Sequence, residues 1–582
     1  MAANFPPLLK QNNKQNNRPL GFLMNIIAIV FVGSALVFFG WGGGNSGVSI
    51  EEFNLSEISL TFGNLIYYGF RTLFRLIIGI IFSIIFSICY ATLAAKNKRA
   101  EQILIPLLDV LQSVPILGYI SFTVAGFVAL SPGTLLGFEM AAIFAIFTSQ
   151  VWNIVFSVYY SLKKVPQELL EVAAVYNFSP WRKFWRVEMP CAIPDMIWNS
   201  IVSMSGAWFF VVAAESITYG GKDIKLPGIG SYISVALEQQ DIKALVAAVA
   251  TMIAIIFIVD QGVFRILLIW SNKFCPESDN KDMGYWLYYV LSGSSFIQSL
   301  LKAAAKISKF IINIPVPEFR SANFLKDYDL EGRNKIYIDI LWYGALFFIG
   351  VSSAIYIFRS LNGHIDWSDI FYVLSLTLIT LTRLIILLII ASIIWVPIGI
   401  YIGLRPKLRA ILQPAVQFLA AFPANIFFPL AVIYISKHNL DADIWLSPLM
   451  IVGSQWYILF TVIAGAWQIP NELTEVSETF QIRGWLKYKR IILPAIMPHY
   501  LTGLITASGG CWNASILSEA VSWGRVDIYA HGIGAYIAQM TQINNFPKIA
   551  LGIMAMSTAV VIINKVVWSR LYNHVMHKYT YS

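Results

Sequence analysis

The chain has 582 residues, of which 57% are hydrophobic and only 13% are charged, whereas a soluble domain carries about 25% charged residues. This composition excludes an ordinary soluble protein and indicates a membrane protein. The formal charge of +9 does not indicate a nucleic-acid partner, because the Lys and Arg residues stand in short groups between long apolar runs. The four cysteines lie far apart and form no CxxC, so neither a disulfide framework nor a zinc site is expected.

Apolar segments long enough to cross a bilayer recur along the chain. A polar tail at 1–21 precedes the first, which is too long for a signal-peptide core and lacks a cleavage site, so we expect it to be an uncleaved span. A charged segment at 271–336 separates six spans from six more and is interpreted as a cytoplasmic linker. The twelve predicted spans are 22–41, 66–95, 104–130, 139–162, 192–217, 244–270, 337–358, 368–403, 411–435, 444–465, 497–519 and 549–568.

The positions of the basic residues predict the orientation. With the N-terminus inside, about 29 of the 41 Lys and Arg residues fall in cytoplasmic segments, as expected from the positive-inside rule. Both termini are therefore predicted to be cytoplasmic.

The two halves of the chain repeat each other at two fixed offsets. Six spans in each repeat give both halves the same direction through the membrane, so we predict a parallel pair of repeats, at 22–270 and 337–577, around a shared pathway. The fold class is an all-α polytopic membrane protein with about 12 transmembrane helices. A duplicated anchor without a pathway is the alternative. Matches lie 308 positions apart for Thr72, Arg75, Pro106 and Pro115, and 304 positions apart for Pro166, Glu171, Pro190, Pro194, Gly206, Trp208, Glu215, Gly228 and Gly230.

Each half has a helical loop between its fourth and fifth spans, at 163–191 and 466–495. Both loops carry a Pro at a favourable first-turn position and acids soon after it. We predict a short helix, a turn near Asn177 or Gln481, a second short helix, and a return into the membrane marked by Pro190 or Pro494. An amphipathic helix lying on the bilayer is the alternative.

These loops resemble the cytoplasmic loop of ABC importer permeases, whose pattern is E-A-A, three residues, G, nine residues, I-x-L-P. Asn177 and Gln481 stand where the family has glycine; Asn tolerates a left-handed backbone, and Gln does so less well. The resemblance implies coupling helices that dock on a separate cytoplasmic ATPase dimer. The residues assigned to this coupling are Glu171, Ala173, Asn177, Trp181, Pro190, Glu475, Ser477, Gln481, Trp485 and Pro494.

The chain contains no G-x-x-x-x-G-K-[ST] phosphate-binding loop. We therefore expect a transport subunit that is not itself an enzyme and that holds no cofactor, with ATP and magnesium bound by the partner ATPase.

Further segments resemble the nitrate, taurine and alkanesulfonate branch of these permeases: the Arg on the second span, the Pro-rich third span and the run into an external Gly-x-Gly turn. The resemblance implies a type I importer fold, a bacterial inner-membrane location, a periplasmic or lipid-anchored solute-binding protein, and a small anion such as nitrate, a sulfonate or bicarbonate. Third and fifth spans line the pathway in this family. The pathway and gate candidates are Arg75, Pro115, Tyr119, Trp208, Glu215, Arg383, Pro423, Phe427, Trp512 and Glu519.

Charges inside the membrane each cost about 2.5 to 3.5 kcal/mol on insertion scales unless they are partnered. Arg75 and Glu215 lie at similar predicted depth, as do Arg383 and Glu519, so we expect two ion pairs that close the outer side of each half. Snorkelling to the interface and attraction of an anion by either arginine are the alternatives.

A secondary transporter with twelve spans in two parallel halves is the competing function, and an assembly factor without transport is a third class. The secondary transporter predicts a Gly-x-x-x-Asp loop between spans two and three, which residues 96–102 lack, and mid-membrane carboxylates, for which only Asp260 is a candidate.

Overall fold

The computed structural model describes residues 58–271 except 133 and 220–221, residues 365–579 except 470–472, 474, 476, 478 and 524–525, and the single positions 274, 306, 344, 348 and 352. The tail, the predicted spans at 22–41 and 337–358, and most of the linker lie outside the described residues.

Long apolar helices in the first half alternate with short connecting elements. The helices are α1 (Phe62–Lys96), α2 (Lys98–Ser113), α3 (Ile116–Leu130), α4 (Leu136–Lys163), α5 (Gln167–Val175), α6 (Pro180–Glu215), α7 (Ile229–Glu238) and α8 (Ile242–Ser271). An antiparallel hairpin of β1 (Ser216–Tyr219) and β2 (Lys222–Lys225) separates α6 from α7.

The second half follows the same order. Its helices are α9 (Trp367–Gly403), α10 (Pro406–Ala421), α11 (Phe428–His438) after a 3-10 turn at Ala424–Phe427, α12 (Ala442–Trp445), α13 (Leu449–Val452), α14 (Gln455–Trp467), α15 (Gly484–Ser518), α16 (Ile533–Gln542) and α17 (Phe546–Val575). A second hairpin, β3 (Ala520–Trp523) with β4 (Val526–Tyr529), separates α15 from α16. We call the end of the molecule that carries the hairpins the hairpin side, and the opposite end the loop side.

The spans predicted within the described residues are present. Seven helices are long and apolar enough to cross a membrane, and three bent helix pairs raise the number to ten across the described part of the chain. The all-α prediction is confirmed for these spans. The two hairpins were not predicted, and the expected external Gly-x-Gly turn is instead the start of α7 or α16, where Gly228 and Gly532 are the N-cap residues.

The third span of each half is broken, as its prolines predict. The α2 and α3 axes meet at 93° and the α10 and α11 axes at 73°. Pro115 and Pro423 lie at these breaks, because proline lacks the amide hydrogen that a continuous helix needs and its ring collides with the preceding turn. Each third span therefore consists of two half-helices.

The predicted second short helix of each loop does not exist as a separate element. It forms the first turns of α6 or α15, which run without interruption into the fifth span. A π-helical turn at Phe184–Glu188 or Tyr488–Ile492 ends two residues before Pro190 or Pro494. This local widening lets the helix pass a proline without ending.

Each broken third span contacts its own half of the chain and also the opposite half. Ile426, Phe428 and Val432 belong to the apolar cluster built mainly from α1, α4, α6 and α8. In return, Ile116 and Leu117 of α3 belong to a cluster that includes much of α9, α15 and α17. The halves are thus interlocked, and their fifth spans, α6 and α15, both line the contact between them.

Candidate functional site

A buried cluster of four charged side chains lies on the hairpin side of the first half. Arg75 donates through Nε and Nη2 to Glu139, at 2.6 and 2.7 Å, and through Nη1 to Glu215 at 2.6 Å. Arg71 Nη2 donates to Glu139 at 2.6 Å. The four side chains are at most 7% exposed, so two positive and two negative charges neutralise each other inside the protein.

The Glu215 carboxylate also caps the N-terminus of α7. Its Oε2 accepts from the Gly230 amide at 2.6 Å, and its Oε1 accepts from the Thr72 hydroxyl at 2.7 Å. The same hydroxyl accepts from the Ile229 amide at 2.9 Å. A Cβ on Gly228 would lie 2.2 Å from the carboxylate carbon. The Gly-x-Gly motif therefore exists because a carboxylate approaches the helix terminus, where it satisfies free amides and the helix dipole.

The second half repeats this cap. Glu519 accepts from the Thr380 hydroxyl at 2.7 Å and from the Gly534 amide at 2.7 Å, and a Cβ on Gly532 would lie 2.2 Å from one of its oxygens. Arg383 Nη1 is 3.4 Å from Glu519, longer than the Arg75–Glu215 contact. The cap is conserved between the halves, whereas the ion pair is looser in the second.

Arg383 has a different second partner. Its Nη2 donates to Asp443 at 2.8 Å, and Asp443 also accepts from the His531 amide at 2.6 Å and contacts the His531 ring at 2.9 Å. The Asp443 side chain is 35% exposed. The second cluster therefore opens towards solvent, where water screens its charges.

Both expected ion pairs are thus present in the structure. Arg75 does not snorkel, because it is buried, and each of its three nitrogens donates to a carboxylate. Sequence reasoning missed Arg71, Glu139 and Asp443. Glu139 and Asp443 stand 304 positions apart, which is one of the two offsets of the repeat. A search for acidic residues at this offset would have found the pair.

A cavity of about 280 Å³ lies between the two halves. Aromatic rings and neutral polar groups line it, and none of its lining residues in the described part of the chain is Asp, Glu, Lys or Arg. No group of three His, Cys, Asp or Glu residues that could hold a metal ion occurs among the described residues. Hydroxyl and amide side chains that line the cavity come from both halves: Gln112, Ser149, Asn153, Ser203 and Ser205 from the first, and Ser454, Tyr457, Thr506, Ser508, Asn513 and Asn564 from the second.

Hydrogen bonds cross between the halves at this cavity. Asn513 Oδ1 accepts from the amide of Ile116, the first residue of α3, at 2.8 Å. The hydroxyls of Ser205 and Tyr457 lie 3.4 Å apart. The broken third span of one half is therefore fixed to the fifth span of the other.

Of the ten predicted pathway and gate residues, all within the described part of the chain, Trp512 alone lines the central cavity. Trp512 lines it, whereas Trp208 lines a separate cavity of about 30 Å³ beside Asp260. Pro115 and Pro423 are buried at the two helix breaks next to the cavity. Tyr119 is half-buried and Phe427 is exposed, and neither lines the central cavity.

The two loops share one backbone feature at the expected position. Asn177 and Gln481 have φ angles of 49° and 52°, so the position where the permease pattern has glycine adopts the left-handed conformation in both halves. The Phe178 amide donates to the Ala173 carbonyl at 3.0 Å, and the corresponding bond to the Ser477 carbonyl is 2.8 Å. These bonds close the helix as in a Schellman motif.

Side chains on the loops differ in exposure. Ala173 and Ser477 are buried beneath the turns. Glu171 and Glu475 are exposed. The two tryptophans differ, because Trp485 is 72% exposed and Trp181 is half-buried against Trp185. Pro190 and Pro494 are half-buried within their helices.

Comparison with known proteins agrees with this architecture. The family model described as "Binding-protein-dependent transport system inner membrane component" matches residues 79–266 and again residues 395–580. The chain therefore belongs to this family and carries two copies of its domain, fused in one polypeptide.

Several curated permeases are similar to parts of the chain. The bicarbonate transport system permease protein CmpB of Synechococcus elongatus is 32% identical over 178 residues, 31% of this chain and 61% of that protein. The nitrate import permease protein NrtB of Leptolyngbya laminosa is 30% identical over 132 residues, 23% of this chain and 42% of the relative. The taurine transport system permease protein TauC of Escherichia coli is 26% identical over 143 residues, 25% and 50% of the two chains. Each alignment spans less than two thirds of the relative.

Proposed function

We propose that this chain is the membrane subunit of an ATP-driven importer, which carries a small anion across a bacterial inner membrane by alternating access. The observation that carries the proposal is that two copies of one permease domain enclose a central cavity between interlocked halves. The relatives named for bicarbonate and nitrate transport support an anionic substrate, and taurine, a zwitterion, carries an anionic sulfonate group.

The loop side supplies the surface for a cytoplasmic ATPase dimer in this proposal. On α5, Leu169, Val172 and Val175 are 42%, 50% and 79% exposed, next to the exposed Glu171. Apolar side chains grouped on an exposed helix are typical of a protein contact. The hairpin side would then face a periplasmic or lipid-anchored solute-binding protein, with both termini in the cytoplasm.

A secondary transporter is not favoured, because the matching family consists of binding-protein-dependent systems. The two functions differ in their energy source: only the importer needs a separate ATPase for uptake.

The test is purification of the full chain through a tag, followed by uptake measurements in proteoliposomes with the proteins that copurify. We expect Glu171→Ala combined with Glu475→Ala to reduce ATPase copurification and ATP-dependent uptake about tenfold or more, because both variants lie on the proposed docking helices. Glu238→Ala, an exposed acid on the hairpin side, is the control for ATPase copurification. Unchanged copurification and uptake in the double variant would overturn the coupling assignment.

A further inference from the structure

We propose that the loop-side corner where α9 meets α10 and α14 is a binding site for the headgroup of an anionic phospholipid. Three basic side chains form this site, which we call the basic corner: Arg405, Lys407 and Arg409. The inference goes beyond the proposed function, because it concerns the lipid around the protein and not the solute that passes through it.

Three helix ends converge at the basic corner. Gly403 ends α9, and a Cβ at this position would lie 2.6 Å from the Cβ of Ala466 near the end of α14. The next helix, α10, begins at Pro406, so only residues 404 and 405 connect it to α9. The three helices share an apolar cluster, which is built from Ile402, Val416, Leu459 and Ile463. The backbone that carries the basic side chains is therefore fixed by helix packing.

Two guanidinium groups at the basic corner lie on aromatic rings. That of Arg405 is 3.4 Å from the centre of the Tyr401 ring, and that of Arg409 is 4.3 Å from the centre of the Trp467 ring. The two arginines stand one helical turn apart, since the Arg409 amide donates to the Arg405 carbonyl at 2.9 Å, and like charges at this spacing repel each other. Within the described part of the chain, neither these arginines nor Lys407 form an ion pair with an acid.

The corresponding corner of the first half contains its own acids. Glu101 pairs with Lys163 at 2.8 Å, and Glu188 also pairs with a lysine, at 2.7 Å. At the two offsets of the repeat, Arg409 stands in place of Glu101, and Ile492 stands in place of Glu188. The second half has therefore lost both acids and gained a cation. An external anion would compensate the positive charge that remains.

The surroundings of the basic corner favour a lipid over a free anion. Tyr401 and Trp467 are 56% and 55% exposed, and Leu404 and Ile411 are 47% and 71% exposed. Exposed aromatic side chains beside basic ones at the end of a span are typical of a membrane interface. A phospholipid offers a phosphate to the cations and acyl chains to the apolar side chains, whereas inorganic phosphate offers only the first.

Native mass spectrometry of the purified full chain tests the site. The protein is equilibrated in detergent with equal concentrations of phosphatidylglycerol and phosphatidylcholine that have the same acyl chains, and the retained lipids are counted. We expect wild-type protein to retain phosphatidylglycerol at least fivefold over phosphatidylcholine. Arg405→Gln combined with Arg409→Gln should remove most of this preference. Lys243→Gln combined with Lys437→Gln, which removes two exposed cations on the hairpin side, is the control and should preserve it.

Two further measurements keep the test decisive if the glutamine variant folds poorly. Arg405→Lys combined with Arg409→Lys keeps both charges and should retain most of the preference. In wild-type protein, phosphatidylglycerol should raise the midpoint of thermal unfolding above its value in phosphatidylcholine, and inorganic phosphate at equal ionic strength should not. Equal retention of the two lipids by wild-type protein, an unchanged preference in the glutamine variant, or equal stabilisation by phosphate alone would overturn the site. Uptake enters none of these measurements, so the proposed function stands or falls separately.

Discussion

Arg75 and Arg383 occupy equivalent positions in the two repeats, but their surroundings differ in ways that matter energetically. Arg75 is enclosed and pairs with two buried carboxylates, Glu139 and Glu215, the first of which it shares with Arg71. Arg383 is 13% exposed, and its partner Asp443 reaches solvent. Sequence equivalence therefore does not imply equal contributions to stability.

Replacement of Arg75 should destabilise the protein much more than replacement of Arg383. Arg75→Gln leaves Glu215 buried without its counter-charge and Glu139 with Arg71 alone, and breaking a buried ion pair in this way typically costs about 3–5 kcal/mol. Arg383→Gln should cost less, because water screens Asp443 and because Glu519 keeps its bonds to Thr380 and the Gly534 amide. Thermal unfolding of the two purified variants in detergent measures the difference. Equal shifts of the midpoint would contradict this account of the first cluster.

Individual residues determine where the helices of this protein end and begin. Carboxylates cap α7 and α16, prolines break the third spans, and left-handed residues close the loop helices. Since Gln, unlike Gly, pays a steric penalty in the left-handed region, the second loop carries avoidable strain at position 481.

Substitution of glycine should relieve that strain. Gln481→Gly is expected to stabilise the second loop by about 0.5–1 kcal/mol, and Asn177→Gly by less, because Asn tolerates this conformation better. Hydrogen exchange of the Ile482 amide, which donates to Ser477, reports the local stability. Gln468→Gly, at a helix end with φ of −80°, is the control and should bring no gain. Faster exchange in Gln481→Gly would refute the prediction.

Several elements could be predicted from the sequence because their signal is local or repeated. Span lengths and the breaks at Pro115 and Pro423 follow from composition and residue type, and so does the left-handed turn at Asn177. Gln481 disfavours this conformation and adopts it nevertheless. The two hairpins escaped prediction because their strands are four residues long and too short to show an alternating pattern. The cavity lining and the partners of Arg75 depend on which helices meet across the molecule, which one sequence without its fold does not specify. The domain boundaries and the coupling roles of the loop residues stay predictions.

At the scale of the whole molecule, fusion has allowed the two sides of the cavity to diverge. Positions related by the offset of 304 include Val202 with Thr506 and Phe209 with Asn513. In both cases the second half contributes the polar member, and both members line the cavity. A symmetric pair of identical subunits would present each side chain twice, so the fused chain can bind a small ligand off-centre.

The interlocked halves should be trapped by one designed disulfide. A Cβ on Gly118 of α3 would lie 3.1 Å from Cγ1 of Ile553 in α17, which places Gly118→Cys and Ile553→Cys within disulfide reach. After oxidation and cleavage at a protease site introduced between 275 and 335, we expect the two fragments to migrate together on a non-reducing gel and to separate after reduction. Gly63→Cys with Ile553→Cys is the control. Separation of the oxidised fragments would show that α3 and α17 are not neighbours.

The contacts of α3 with the second half also constrain how the protein is made. The Ile116 amide donates to the side chain of Asn513, which lies 397 positions later in the chain. During synthesis, α3 therefore leaves the ribosome long before α15 and α17, and the first repeat is inserted with α3 packed on α4 but without its contacts to the second half. Contacts so distant in sequence form slowly. The first repeat therefore completes its folding only after the second repeat has been inserted. A chain truncated before the second repeat would lose these contacts of α3 as well as the missing spans.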